Sequence, residues 1–372
     1  MKITNLVLLN IRIFNNTTFQ FGSNINLICG HNASGKTTVL EAIHLLVSGR
    51  SNRTSSELEC VSFKEDEGVL KGVFEDQKTQ KSAILLISKY YKKMSIDGVK
   101  IDKLSNYVGF AHVVSFGSQD ISGAGSSPAS RRKMFDSFFC QISPEYLKLL
   151  KNHNDLVKEK NATLKKEVLS HKDHDLLDVL DDKLFSLQQD IESRRLYFIE
   201  LINKQLNKVH YYVSGNDEQC QISLVQSIPS TKTKEEYFAY RSEDLMYKTN
   251  THGPHRDDYL FTINNKNALK YGSQGQRKTM VFSLKMAFAG VMKDIIKDDP
   301  IILLDDVFGE LDSTRQNNII TLLNNQAQVF ITTPSLADID EKLVQKANII
   351  YLDRRDDDGS RWKKDQRRSR FI

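Results

Sequence analysis

A phosphate-binding loop is the clearest chemical feature of the sequence. Residues 30–37 read Gly-His-Asn-Ala-Ser-Gly-Lys-Thr, which matches the pattern G-x-x-x-x-G-K-[ST]. A β-like run, "INLIC", precedes this loop, and an amphipathic segment, "KTTVLEAIHLLVSG", follows it. In such a loop successive backbone N–H groups face a phosphate, and the helix N-terminus adds partial positive charge. We predict a nucleotide site made by Gly30, His31, Asn32, Ala33, Ser34, Gly35, Lys36, Thr37 and Thr38.

Two of these side chains have expected roles. Lys36 would bridge the β- and γ-phosphates of ATP and is a predicted catalytic residue, while the Thr37 hydroxyl would ligate Mg²⁺. The acidic stretch "PIILLDDVFGELD", residues 300 to 312, supplies the second half of the site. Its four apolar residues end in Asp305 and Asp306, at the C-terminal edge of a buried strand. We predict that Asp305 holds Mg²⁺ through water and that Asp306 orients or deprotonates the attacking water. The alternative is that the two acids merely close a solvated turn.

A turn rich in glycine and serine lies near the acidic strand. The stretch "YGSQGQRKTMVFSLKMAFA", residues 271 to 289, places a Ser-x-Gly-Gln turn before an apolar-faced helix. A turn of this kind offers backbone N–H groups and a hydroxyl to an anion. Such turns are common before helices, but this one precedes the acidic strand by about one helix, and that order favours a second phosphate contact.

The elements that must position these residues form three predicted parts. Residues 1–125 are the N-terminal part of an ATPase lobe, residues 126–248 an inserted helical arm, and residues 249–372 the C-terminal part of the lobe with a basic tail. Short β-like runs fill the first part, apolar residues at helical spacing fill the second, and buried strands such as "IILLDD" and "QVFITT" return in the third. The predicted fold class is therefore α/β, with a mixed sheet and an inserted helical arm.

Composition excludes several classes of protein. The 372 residues contain no apolar run near the ~20 residues of a membrane helix. The four cysteines lack metal-ligand spacing, which is typical of reduced thiols. We expect a cytoplasmic protein without a membrane partner. The net charge of +5 is compatible with nucleic acid but does not establish it.

Together these motifs resemble the ATP-binding-cassette (ABC) ATPases. In that superfamily the signature turn of one subunit closes over the γ-phosphate held by the other, so the resemblance implies a head-to-tail homodimer formed on ATP. It implies that the signature turn, here residues 273–276, contacts phosphate in trans through Ser273, Gln274, Gly275 and Gln276. Glu310, Leu311 and Asp312 would form the loop that communicates between the two sites, and Gln119 would contact metal and water between the lobes.

Several blocks of sequence narrow the resemblance to one family within this superfamily. They include "LNIRIFNNTTFQFGSNINLICGHNASGKTT", "SSPASRRKMFDSFF", "THGPHRDDYLF", "GSQGQRKT" and "LLDDVFGELD", and they cover nearly the whole length. With the arm between loop and signature, the chain resembles the RecF family in the SMC-like branch of these ATPases. It departs from the family at residues 117–120, Gly-Ser-Gln-Asp where Ser-Pro-Glu-Asp is usual, and in having one Gln before Arg277 instead of a pair.

The resemblance implies a slow, DNA-stimulated ATP hydrolase that binds double-stranded and gapped or single-stranded DNA. With RecO and RecR, such a protein promotes recombinase loading at single-strand gaps. Charge clustering gives the candidate DNA contacts, although basic runs are usually solvated faces: Arg131, Arg132, Lys133, Arg361, Lys363 and Lys364. Two alternatives stay open, an SMC-like structural DNA clamp, for which the arm looks short, and a transport-type ATPase lobe.

Overall fold

The structure, a computed structural model, describes residues 1–54, 56–76, 79–215, 218–229, 233–308, 313–323 and 327–352. These residues fall into two compact units. Unit 1 comprises the described residues of Met1–Asp120, Tyr212–Gly215 and Met292–Ile372, and unit 2 those of Ile121–Tyr211 and Asn216–Val291. Residues 249–291 thus group with the helical arm, although we assigned them to the ATPase lobe. The three-part division by sequence stays a prediction.

The described residues include fourteen strands. They are β1 (Lys2–Ile11), β2 (Phe14–Gln20), β3 (Ile25–Gly30), β4 (Glu67–Glu75), β5 (Gln80–Ser88), β6 (Lys92–Ile96), β7 (Val99–Ile101), β8 (Val113–Gly117), β9 (Cys220–Val225), β10 (Asp258–Ile263), β11 (Lys266–Asn267), β12 (Ile301–Asp305), β13 (Val329–Thr333) and β14 (Asn348–Leu352).

The helices are α1 (Lys36–Ser48), α2 (Leu104–Tyr107), α3 (Ser118–Ser126), α4 (Pro128–Ile142), α5 (Pro144–Leu164), α6 (His171–Ser214), α7 (Lys234–Phe238), α8 (Arg241–Tyr247), α9 (Ala268–Tyr271), α10 (Gln274–Ile296), α11 (Ser313–Leu323) and α12 (Glu341–Lys346). Short 3₁₀ turns span Glu57–Cys60 and Leu336–Asp338. Among the described residues no helix is both long enough and apolar enough to span a bilayer.

Unit 1 is built on two sheets. The first is antiparallel with the order β2-β1-β4-β5-β6-β7, and the second is parallel with the order β14-β3-β13-β12-β8. Helix α1 is buried along most of its length and contributes to one apolar core with residues of both sheets. A helix packed on most of its faces has little freedom to move, because protein interiors are closely packed. The helix that follows the loop at residues 30–37 is therefore held rigidly.

Unit 2 is mainly helical. Its three-stranded antiparallel sheet has the order β11-β10-β9, and aromatic side chains of α4 stack on β10, as Phe135 does on Tyr259 with ring centroids 3.8 Å apart. The predicted helical arm is present, but its first half is two helices because Pro144 begins a new one. Ser143 caps that helix by accepting a hydrogen bond from the Tyr146 N–H at 3.1 Å. Proline is favoured at a first helical position, where its missing N–H costs nothing.

Candidate nucleotide-binding site

The loop at residues 30–37 has the backbone that its glycines allow. It joins the end of β3 to the start of α1. A Cβ on Gly30 would lie 2.4 Å from the Leu352 carbonyl oxygen. Gly35 has φ of 97°, in the left-handed region, and a Cβ there would lie 2.7 Å from the Phe14 ring. Both positions therefore require glycine, and the predicted strand–turn–helix context is confirmed.

Two polar side chains of this loop, Lys36 and Ser34, are buried in surroundings that fit a bound phosphate. Lys36 is 4% exposed, and its Nζ donates to the carbonyl oxygens of Gly30 at 2.8 Å and His31 at 3.1 Å. The buried Ser34 Oγ has no hydrogen-bond partner among the residues that the structure describes. Buried hydroxyls nearly always have a partner. A phosphate oxygen in the loop would supply one to Ser34, so the loop fits the ligand that its sequence predicts.

The acidic strand meets the loop through hydroxyl groups. Because β13 lies between β3 and β12 in the parallel sheet, the carboxyl ends of all three strands share one edge. Asp305 Oδ1 accepts from Thr37 Oγ1 at 3.0 Å and from Thr332 Oγ1 at 2.8 Å. The two predicted Mg²⁺ ligands, Thr37 and Asp305, are thus in direct contact although 268 residues separate them.

Electrostatics at this edge favour a cation. Burial raises the pKa of Asp305, and the neighbouring Asp306 carboxylate adds to the rise, while hydrogen bonds from Thr332 and Thr37 oppose it. A divalent cation beside Asp305 would remove the cost of burying its charge, and carboxylate and hydroxyl oxygens are the ligands that Mg²⁺ prefers. The residues present therefore fit the predicted metal ion.

Asp306 has a different environment. It is exposed, its φ is 51°, and its backbone N–H donates to Thr332 Oγ1 at 2.8 Å. Aspartate is among the few residues that tolerate the left-handed region. This bend separates Asp306 from the line of β12 and leaves its carboxylate accessible to water, as a predicted base requires.

Gln119 follows the next strand of the same edge. Strand β8 pairs with β12 in a register that puts Gly117 opposite Asp305, and a Cβ on Gly117 would lie 3.2 Å from the Asp305 Cβ. Gln119 comes two residues later, in the first turn of α3. Its place in the topology agrees with the predicted contact, and its catalytic role stays a prediction.

The signature turn lies in unit 2 at the start of α10. Ser273 Oγ accepts from the Gln276 N–H at 3.1 Å, and Gln276 Oε1 accepts from the Ser273 N–H at 2.9 Å. This reciprocal pair is a capping box. Ser273, Gln274 and Gly275 are exposed, and because the cap uses the Ser273 oxygen as an acceptor, its hydroxyl hydrogen can still be donated. The predicted loop of Glu310, Leu311 and Asp312 lies outside the described residues.

The candidate DNA contacts divide into engaged and exposed side chains. Arg131 is 12% exposed and donates to both carboxylate oxygens of Asp258, at 2.7 and 2.8 Å, and Arg132 donates to the Asp257 carbonyl oxygen at 2.6 Å. Both arginines are thus engaged within unit 2, which argues against the predicted DNA contacts at these two positions. Lys133 is exposed and remains a candidate. Arg361, Lys363 and Lys364 lie outside the described residues.

Two functional features escaped the sequence analysis. Thr332 links Asp305 to Asp306, and its only signal was its place at the end of a buried strand. Glu41 on α1 is 3% exposed and accepts from Ser51 Oγ at 2.7 Å and Arg12 Nη2 at 3.2 Å. Burial works to raise the pKa of Glu41, but the hydrogen bonds from Ser51 and Arg12 outweigh it and the pKa lies below its usual value. This charged cluster fixes α1 to the segments on either side of it.

Comparison with known proteins finds a matching family model and relatives that match along nearly the whole chain. A family model described as an AAA domain matches residues 5–236. The DNA replication and repair protein RecF of Geobacillus kaustophilus is 34% identical over 363 residues, which cover 95% of this chain and 98% of that protein. RecF of Halalkalibacterium halodurans is 33% identical over 363 residues, with the same two shares of 95% and 98%.

Solved structures agree with the sequence relatives. The structure of the recombination mediator protein RecF with ATP, in the RecFOR pathway, has a TM-score of 0.84 and 29% identity, and covers 91% of this chain and 93% of that one. The Smc head bound to the C-winged helix domain of ScpA has a TM-score of 0.55 at 13% identity, over 96% of this chain and 95% of that one, which supports a shared fold only. The predicted ABC-type fold with a helical arm is confirmed. The chain therefore belongs to the RecF family of DNA replication and repair proteins, which are ABC-type ATPases.

Proposed function

We propose that this chain is an ATP-gated, DNA-binding recombination mediator. As a RecF-family member the chain is an ATP hydrolase. The finer proposal is that it forms a homodimer on ATP, hydrolyses ATP slowly with stimulation by DNA, and acts with RecO and RecR to load recombinase at single-strand gaps. The relatives' names and the RecFOR pathway of the solved RecF structures support the assignment to DNA repair.

One observation carries the ATPase part of the proposal. The hydrogen bond between Thr37 and Asp305, at 3.0 Å, joins the phosphate-binding loop to the acidic strand. Around it stand the unpartnered Ser34 hydroxyl and the buried Lys36 ammonium. Donors on one side and carboxylates on the other are what a nucleoside triphosphate with a divalent cation requires.

We assign each side chain a role on that basis. Lys36 neutralises the β- and γ-phosphates, and Thr37 and Asp305 hold Mg²⁺, which supplies charge neutralisation at the phosphates when bound. Asp306 accepts the proton of the attacking water or orients that water, and Gln119 contacts water at the same edge. Thr332 fixes the Asp305 carboxylate, to which its hydroxyl donates, and the Asp306 backbone, whose N–H it accepts from.

The proposed dimerisation on ATP rests on the resemblance to the ABC ATPases, in which the signature turn of one subunit closes over the γ-phosphate held by the other. Unit 1 holds the groups that bind ATP, whereas the exposed signature turn belongs to unit 2. We infer that the signature turn, with Ser273, Gln274, Gly275 and Gln276, contacts the γ-phosphate on a second copy of the chain. A ligand that contacts both copies shifts the monomer–dimer equilibrium by its greater affinity for the closed state. Loss of the γ-phosphate on hydrolysis would then reopen the dimer.

DNA binding and localisation complete the proposal. Lys133 and the basic residues beyond residue 352 are the remaining candidates for contacts to double-stranded and gapped DNA, and such contacts would be independent of sequence and weaken steeply with salt. We place the protein in the cytoplasm without a membrane partner. An SMC-like structural clamp or a transport lobe has less support, because the full-length similarity is to RecF.

The test is steady-state ATP hydrolysis by the purified chain with and without gapped duplex DNA. Lys36→Ala is the blank, and Lys342→Ala, at an exposed lysine of α12, is the matched control. We expect stimulation by DNA that Lys36→Ala abolishes and Lys342→Ala keeps. The assay is run at low salt and at chain concentrations high enough for dimers. Slow hydrolysis whose rate does not change with DNA under these conditions would contradict the recombination role and would support ATP hydrolysis alone.

A further inference from the structure

Helix α6, the longest helix of the arm, carries a polar stripe near its C-terminal end. Asn203, Asn207 and His210 follow one another at spacings of four and three, which put them on one face of a helix. The Asn203 side chain exchanges two hydrogen bonds with the Ile222 backbone of β9, each 2.9 Å long, and Asn207 Oδ1 accepts from the Cys220 N–H at 2.6 Å. This face fixes α6 to the edge of the small sheet in unit 2.

His210 extends the stripe to α10, the helix that begins with the signature turn. Its side chain is fully buried, with Nδ1 at 3.1 Å from Ser283 Oγ of α10 and Nε2 at 3.0 Å from Glu218 Oε2. A carboxylate only accepts hydrogen bonds, so Nε2 carries a hydrogen and donates it to Glu218. The serine hydroxyl can then donate to Nδ1 of a neutral ring. Both ring nitrogens are thus satisfied, and the ring orientation is fixed.

Glu218 passes this constraint to the signature turn. Its Oε1 accepts from Gln276 Nε2 at 2.9 Å. This bond requires the amide nitrogen of Gln276 to face Glu218, so the amide oxygen faces the Ser273 N–H, to which it is bonded at 2.9 Å. A reversed amide would place a donor against a donor at Ser273. The Glu218 carboxylate and the Ser273 N–H therefore select the same amide orientation, on which the capping box of the turn depends.

We propose that His210 and Glu218 are positioning residues for the signature turn. They hold Ser273 and Gln276 in the conformation that ATP bound to a second copy of the chain contacts. Neither residue belongs to the phosphate-binding loop or the acidic strand, and neither touches nucleotide in its own subunit's unit 1 site. Their effect is on association and the hydrolysis that depends on it, and ATP binding by a single copy does not involve them. This inference rests on the proposed ATP-dependent homodimer.

The experiment compares the full-length wild type with Glu218→Ala. The substitution removes both carboxylate oxygens, so the hydrogen bonds from His210 Nε2 and Gln276 Nε2 are lost together. Glutamine is not used at this position, because the His210 ring could change tautomer, accept from the new amide at Nε2 and donate from Nδ1 to Ser283 Oγ. Glu200→Ala is the matched control, since Glu200 lies on α6, is 65% exposed and pairs with Lys204 on the surface. Glu218→Asp is a second variant, which keeps the charge but withdraws it by one methylene.

Three quantities are measured on each protein. Sedimentation velocity in saturating ATPγS and Mg²⁺ gives the dimer Kd. Titration of a fluorescent ATP analogue at chain concentrations far below that Kd gives the nucleotide affinity of one copy. Thermal unfolding followed by circular dichroism reports whether the protein is folded.

We expect both Glu218 variants to fold, to bind nucleotide within about twofold of wild type, and to dimerise about tenfold to a hundredfold more weakly. The range reflects about a tenfold loss for each weakened turn, with two turns in the dimer. Glu200→Ala should match wild type in all three. Folded Glu218 variants that dimerise like wild type would overturn the proposal, and so would an equal loss of nucleotide affinity by one copy. A wild type that stays monomeric in ATPγS would instead refute the proposed ATP-dependent dimer itself.

Discussion

Glu192 on α6 is a buried carboxyl group whose protonation should affect the stability of unit 2. Its side chain is fully buried; Oε2 accepts from Gln226 Nε2 at 2.8 Å, and Oε1 has no hydrogen-bond partner within the described part of the chain. Burial, with the nearby Asp257 carboxylate, raises the pKa of Glu192 to about 7, against opposing contributions from Gln188, Gln226 and Arg195. Near neutral pH the folded protein therefore holds a proton that the unfolded chain has released.

The sign and size of the effect follow from linkage. Between the ordinary glutamate pKa of 4.5 and the folded value of about 7, the native state binds more protons than the unfolded state, so stability falls as pH rises through this window. Each pKa unit corresponds to about 1.4 kcal/mol, so the loss approaches about 3 kcal/mol above pH ~7. Glu192→Gln keeps the shape without the charge. It should have little effect near pH 5 and should stabilise the protein by up to about 3 kcal/mol near pH 8.

Urea unfolding followed by circular dichroism, at several pH values from 5 to 8, measures this difference. Glu200→Gln is the control, because it changes an exposed glutamate of the same helix. The difference in unfolding free energy between Glu192→Gln and wild type should grow with pH, whereas that of Glu200→Gln should stay flat. A difference for Glu192→Gln that does not change with pH would refute the reasoning, since it would mean that Glu192 is ionised in the folded protein throughout.

Four further predictions concern the nucleotide site and the arm. Asp306→Glu should turn over ATP faster than wild type, because the longer side chain reaches the attacking water more easily; hydrolysis no faster than wild type would remove that explanation of slow turnover. Thr332→Val should lower single-turnover hydrolysis about tenfold, because Asp305 and the Asp306 N–H lose their common partner, and should change ATP affinity much less. Equal rates would show that Thr332 does not position the acids. Arg131→Ala should lower the unfolding free energy by about 1–3 kcal/mol through loss of its ion pair with Asp258, without changing the salt dependence of DNA binding. Lys133→Ala should leave the unfolding free energy unchanged and should reduce the slope of DNA affinity against salt concentration by about one unit. If Arg131→Ala reduced that slope instead, Arg131 would be a DNA contact after all.

The sequence predicted what local patterns encode. The loop of residues 30–37 and the helix that follows it each depend on a few neighbouring residues, and the structure confirms both. The contact between Thr37 and Asp305 could also be anticipated, because the carboxyl ends of parallel strands meet at one edge. In each case the physical rule acts either within a short segment or between strands of known direction.

What escaped prediction depends on partners far apart in the chain. Arg131 looked like a surface cation, but its carboxylate partner lies 127 residues later. The block "THGPHRDDYLF" could be read only as a family mark or a turn, whereas Asp257 in it is fully buried and accepts from the buried Arg195 of α6 at 2.9 Å. Charge alone cannot tell a solvated cation from one paired inside a fold, because that depends on tertiary contacts.

The proposed function gives ATP binding and hydrolysis separate requirements. Every group that contacts the phosphates or the metal ion in our assignment within one copy comes from unit 1, at the edge formed by β3, β13, β12 and β8. A single copy should therefore bind ATP without help. The signature turn is exposed and already capped by its own serine and glutamine, so its remaining donors are free to serve a second nucleotide. Substitutions in the loop should then impair ATP binding and hydrolysis together, whereas substitutions that disturb the signature turn should impair dimerisation and hydrolysis but leave ATP binding by a single copy intact. A signature variant that lost nucleotide affinity as a monomer would contradict this division.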